Sequence, residues 1–171
     1  MNLDPTPCSR RRTQRLGLAG AALLLGGAAD QAPSVTGQSP VAVGEYLVAI
    51  GGCNDCHTPG WNQNPGNIPP AQRLTGSPVG WNGPWGTSYP TNLRLLLQGL
   101  TADAWVRYVA VMQPRPPMPW FNMRSMSEAD QRAMYAYIRS LGPAGQPAPL
   151  ALPPGEKPKT PYLDALPRPP G

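Results

Sequence analysis

Five consecutive residues, Cys53-Asn54-Asp55-Cys56-His57, constrain this 171-residue chain more than any other feature. Cysteines at i and i+3 lie on one face of a single helical turn, and a histidine follows the second with no spacer. This C-x-x-C-H order is the attachment signature of c-type haem. Both sulfurs reach the two vinyl groups on one haem edge, and the imidazole swings under the iron as an axial ligand. Gly51 and Gly52 precede the motif and are expected to keep side chains away where the backbone lies close to the macrocycle.

Counting excludes the rival chemistries. A structural zinc site needs four Cys or His ligands, and the chain has three Cys and one His in total. A thioredoxin-like C-x-x-C sits in a βαβ context, whereas the flanks of this motif read as helix and loop. With His57 the only imidazole, bis-histidine ligation, a second haem of the same type and a peroxidase-type distal histidine are all excluded. The sixth iron position is left to Met, to a weaker ligand, or to none.

The ends of the chain differ from its middle. Arg10, Arg11, Arg12 and Arg15 form a basic region, Leu16 to Ala29 an apolar stretch, and Gly27-Ala28-Ala29 a small-residue cleavage site. Residues 1–29 therefore read as an export signal, placing the mature protein in the periplasm. The alternative is an uncleaved membrane anchor. Residues 30–39 read as a linker. Ten Lys/Arg and eight Asp/Glu lie beyond residue 29, so the formal +5 of the whole chain falls to +2 without the leader. There is no basic patch interleaved with aromatics, and nucleic-acid binding has no support. Ten of the 29 residues from 143 to 171 are proline, which predicts an extended tail, disordered or wrapping the surface. A docking arm anchored by Tyr162, Leu163 and Leu166 is the other reading.

Between these ends the apolar spacing is helical, and the fold class expected is all-α. Val43, Tyr46, Leu47 and Ile50 form one stripe leading into the motif. Ala102, Trp105, Val106 and Val109 repeat the spacing behind Thr101 as N-cap. Ser127 with Asp130 resembles a capping box ahead of Met134, Tyr137, Ile138 and Leu141, and Gly142-Pro143 ends that helix. Residues 58–100, rich in Gly, Pro, Asn and Trp, read as one long loop wrapped on the cofactor. In it Trp61, Trp81, Trp85 and Tyr89 either pack on the haem edge or donate to a propionate.

Met118 is the candidate sixth ligand. It stands in Pro114-Arg115-Pro116-Pro117-Met118-Pro119-Trp120, where prolines hold the segment extended and present the sulfur from a stiff loop. A soft thioether opposite imidazole favours ferrous iron, as an electron carrier requires. Met112 and Met134 read as hydrophobic filler; Met123 and Met126, in a turn before the last helix, remain alternatives.

Cys53–His57, the Pro-flanked Met118 and the Ser127–Leu141 helix with its Ala136-Tyr137-Ile138 stretch resemble a class I c-type cytochrome domain over residues 40–142. The segments Tyr89-Pro90-Thr91-Asn92-Leu93 and Met118-Pro119-Trp120-Phe121 look more specifically like the cytochrome domains of bacterial dehydrogenases. The resemblance implies three or more helices around one covalent haem c, single-electron transfer rather than enzymatic turnover, and redox protein partners such as a dehydrogenase, a terminal oxidase or another cytochrome. Membrane association would come only through an uncleaved leader or a partner. The resemblance further implies Cys53 and Cys56 as thioether attachments, and His57 and Met118 as iron ligands. Gly44 and Tyr46 would pack on Tyr137 where the first and last helices cross. The proximal imidazole N–H would go to a proline carbonyl, with Pro69 expected and Pro59, Pro65 and Pro70 competing. Two other readings stand beside the carrier: an open-site sensor or small peroxidase-like protein in which Met118 is not bonded, and a tightly held subunit of a larger oxidoreductase.

Overall fold

A computed structural model describes residues 38–64 and 66–165. The expected leader, most of the linker, Cys8, Pro65 and residues 166–171 with Leu166 lie outside them. Six helices follow in order: α1 (Pro40–Ile50), α2 (Cys53–His57), α3 (Leu93–Gln98), α4 (Ala102–Val111), α5 (Trp120–Ser125) and α6 (Glu128–Ser140). Among the described residues no helix is long and apolar enough to cross a membrane.

The three helices expected from periodicity and caps form as expected, with two differences in detail. At α1, Ser39 Oγ accepts the Ala42 N–H and Pro40 occupies the first turn, where its missing N–H costs nothing. Its buried line is Gly44, Leu47 and Val48, while Ile50 is 62% exposed, so the stripe is rotated from the expected one. The reason is the crossing with α6. A Cβ on Gly44 would stand 2.0 Å from the Ala133 carbonyl oxygen and 2.7 Å from Tyr137 Cβ, so the two backbones meet at this glycine. At α6, Ser127 Oγ accepts the Asp130 N–H, but Asp130 takes the Ser127 hydroxyl instead of completing a reciprocal box. Its side chain is one methylene shorter than the usual Glu.

The apolar core lies between α1, α4 and α6. It holds Val48, Leu97, Val109, Met134, Tyr137 and Ile138, each buried. Trp105 of α4 inserts into it and donates its indole N–H to the Gln131 carbonyl of α6 at 3.0 Å. Truncating such a ring costs about 3–5 kcal/mol.

The 58–100 segment is not one loop. It contains a 3-10 turn (Pro70–Gln72), the antiparallel strands β1 (Gly80–Gly83) and β2 (Gly86–Ser88), and helix α3. A third strand, β3 (Tyr162–Asp164), pairs parallel to β1, giving the order β2-β1-β3. The all-α core thus carries a small sheet. The described part of the tail runs along the surface, bridging Thr87 at Leu152 and pairing with β1, and its prolines are no obstacle because Tyr162-Leu163-Asp164 contains none and lies at a sheet edge. Tyr162 and Leu163 remain about half exposed.

Candidate functional site

Helix α2 is a single turn, and it brings Cys53, Cys56 and His57 together as the spacing requires. The chain enters it through Gly52 in the left-handed region (φ 65°), and a Cβ on Gly51 would stand 2.8 Å from the Leu47 carbonyl oxygen. Backbone geometry between α1 and α2 therefore accounts for this pair of glycines. Burial pushes the Cys53 thiol up to about 11, and the Cys56 thiol is also raised, first by burial and then by the charge of Asp55. A redox dithiol or thiolate–metal site works by lowering these values. Among the described residues no group of three or more His, Cys, Asp or Glu could hold a metal ion.

His57 is buried, and its Nδ1 lies 2.7 Å from the Thr91 carbonyl oxygen. A carbonyl only accepts, so Nδ1 carries the hydrogen and Nε2 keeps its lone pair for iron. Burial holds the imidazole pKa below its usual value, against the opposing pull of the Thr91 hydrogen bond, and so favours the neutral ligand form. The expected proline carbonyl is thus replaced by that of Thr91, while Pro69 lies exposed at the start of the 3-10 turn.

Residues to which the sequence assigned no such role support the segment carrying this carbonyl. Asn92 caps α3 by accepting the Leu95 N–H at 3.0 Å. Leu74, wholly buried and left-handed (φ 60°), receives the Leu93 N–H on its carbonyl at 3.1 Å. Its own N–H donates to Thr58 Oγ1 at 2.8 Å, and that hydroxyl donates in turn to Asn54 Oδ1. Asn54 lies within the motif, so this chain of bonds joins α2 to the segment supporting His57. Arg94, also buried, donates to the carbonyls of Gly142, Ala71 and Leu141. Its cation thereby sits at the negative end of α6.

Met118 comes from a separate segment, the one joining α4 to α5, and is partly buried against the apolar core. Of the alternatives, Met123 lies in α5 rather than in a turn and is buried as core, as Met134 is; Met126 is partly buried. The four loop aromatics separate in role. Trp61 stacks under Arg73, and the Tyr89 hydroxyl pairs with Thr160 of the tail at 2.9 Å. Trp81 lies in β1, and the Trp85 ring covers Gly83. Trp85 Nε1 and Arg124 Nε are buried donors with no partner among the described residues. Buried donors of this kind need acceptors, and the propionates of a haem are acceptors. The donor set therefore fits the group that the motif calls for.

The helical fold, the two cysteines in one turn and the tautomer-fixed histidine define a single-haem protein of the c type. The cytochrome c family model matches residues 41–142, and the chain belongs to that family. It binds one haem c covalently at the motif that carries Cys53, Cys56 and His57, and is a haem-binding electron carrier. No curated protein and no solved structure matches the chain.

Proposed function

We propose that this cytochrome shuttles single electrons in the periplasm, from a dehydrogenase or another donor to a respiratory acceptor, with Met118 as the second axial ligand. The observation that carries the electron-transfer reading is the Thr91 carbonyl on His57 Nδ1, 2.7 Å away, which fixes one ring nitrogen for iron. Haem, once bound, supplies a one-electron ferric/ferrous couple. The chain's part is to orient His57, bury it and keep it neutral. The proline-rich run around Met118 supports it as the thioether donor, because a stiff presenting loop lowers the cost of holding a weak ligand. Export rests on the basic and apolar pattern of residues 1–29, and the dehydrogenase connection on the Tyr89–Leu93 and Met118–Phe121 segments. With a formal +2 beyond the leader, electron exchange with partners is expected to depend only weakly on added salt.

The test is the absorption spectrum of the mature ferric protein and of Met118→Ala. The far-red sulfur-to-iron band is expected in the first and absent in the second, which should also bind carbon monoxide at once when reduced. A native protein without that band would move the reading to an open-site haem protein. A stable stoichiometric complex surviving purification would make the chain a subunit rather than a free carrier.

A further inference from the structure

The segment from Gly142 to Leu152 is bonded to the supports of both axial positions. On the His57 side, Asn92 Nδ2 donates to the carbonyls of Ala144 (2.8 Å) and Gln146 (3.1 Å), and Asn92 adjoins Thr91. Arg94 Nε donates to Gly142 at 2.6 Å. On the Met118 side, the Leu152 carbonyl accepts both Arg115 Nη1 at 2.8 Å and the Thr87 N–H at 3.0 Å, and the Leu152 N–H returns a bond to Thr87 at 2.9 Å. The hydroxyl of Ser88, next to Thr87, donates to the Pro116 carbonyl. Arg115 and Pro116 stand three and two residues before Met118, so the tail and β2 grip the presenting loop directly.

Two further features make this contact specific. Gly86 adopts φ 94°, and a Cβ there would lie 2.1 Å from the Leu152 carbonyl oxygen, so the tail seats only against a glycine. Between the two anchoring points stand Pro147 and Pro149, which restrict the backbone and leave the connection little slack.

We propose that residues 142–152 are a tie that holds the Met118 loop at a fixed distance from the His57 support, with Arg115 as its positioning residue. This rests on the reading of Met118 as second axial ligand. The tie slows loss of the thioether to a competing ligand from solution, because displacing the sulfur requires the loop to move against Leu152.

The test uses the full holoprotein and its Arg115→Ala, Arg115→Lys and Gly86→Ala variants. Its readouts are the far-red band, the rate at which the ferric protein binds added imidazole, and the melting temperature. Arg115 is exposed, so its replacement should leave the melting temperature and the resting band near those of the native protein. Losing one charged hydrogen bond is expected to speed imidazole binding about tenfold. Arg115→Lys should restore most of the slow rate, and Gly86→Ala, which unseats Leu152 from the other side, should reproduce the fast one. Native uptake rates in both Arg115→Ala and Gly86→Ala would overturn the tie, as would a lowered melting temperature with unchanged uptake. A native protein lacking the band would instead refute the Met118 reading, and the tie with it.

Discussion

Replacing Gly44 by Ala sets two effects of opposite sign against each other. In an isolated helix the change stabilises, because Ala exceeds Gly in helix propensity by about 1 kcal/mol. In this fold the new methyl would stand 2.0 Å from the Ala133 oxygen, 2.6 Å from the Ala133 carbonyl carbon and 2.7 Å from Tyr137 Cβ. Carbon–oxygen contacts of this kind do not fall much below about 3 Å, so α1 and α6 must separate by roughly 1 Å. Two of the three obstructing atoms are backbone, so no rotamer change relieves the overlap. Overpacking of a core costs about 1–3 kcal/mol, and a backbone-limited case belongs at the upper end. After the propensity gain the net loss is about 2 kcal/mol, or a melting temperature lower by about 10 °C for a domain of this size. Circular dichroism melts of the native and Gly44→Ala holoproteins provide the assay. An unchanged or raised melting temperature would refute the argument, since propensity alone would then decide the outcome.

Asn92→Ala removes a helix cap and two bonds to the tail from a buried site. It should cost about 2–3 kcal/mol, seen as a urea midpoint lower by about 1–2 M; an unchanged midpoint would remove Asn92 from the account. Trp85→Phe deletes a buried donor that a propionate would satisfy. A less compensated carboxylate favours ferric iron, so the reduction potential should fall by about 40 mV for each ~1 kcal/mol lost, and a potential that stays put argues against the pairing. Replacing both Cys53 and Cys56 by Ala should abolish haem staining on a denaturing gel. Either single replacement should leave one thioether and shift the pyridine haemochrome band to longer wavelength. Haem that survives denaturation in the double variant would contradict covalent attachment through this pair.

What the sequence discloses follows from how each feature is encoded. Helices α1, α4 and α6 are long enough to repeat an apolar period, and Thr101 and Ser127 mark the starts of the last two, so they were legible. Helices α3 and α5 have six residues each, fewer than two full turns, and period alone does not find them. Asn92 ahead of the Leu-rich run was an available cap signal for α3. Strands β1 and β2 are built from Gly, Asn, Thr and Ser with a single tryptophan, so no alternation marks them. In the site, the attachment motif is side-chain chemistry and could be read directly. The support of His57 is a main-chain carbonyl, and almost any residue could have supplied it. The same holds for the tail, whose grip on Asn92, Arg94 and Arg115 uses the carbonyls of Gly142, Ala144, Gln146 and Leu152.

The pairing of Leu152 with Thr87 also carries a consequence for the order of assembly. Chains are synthesised from the N-terminus, and Leu152 emerges roughly a hundred residues after the Cys53–His57 turn. Until it does, Thr87 lacks its bridge partner and Arg115 its acceptor. A chain that stops short of Leu152 therefore keeps the Cys53–His57 turn but leaves Arg115 and Thr87 without their common acceptor.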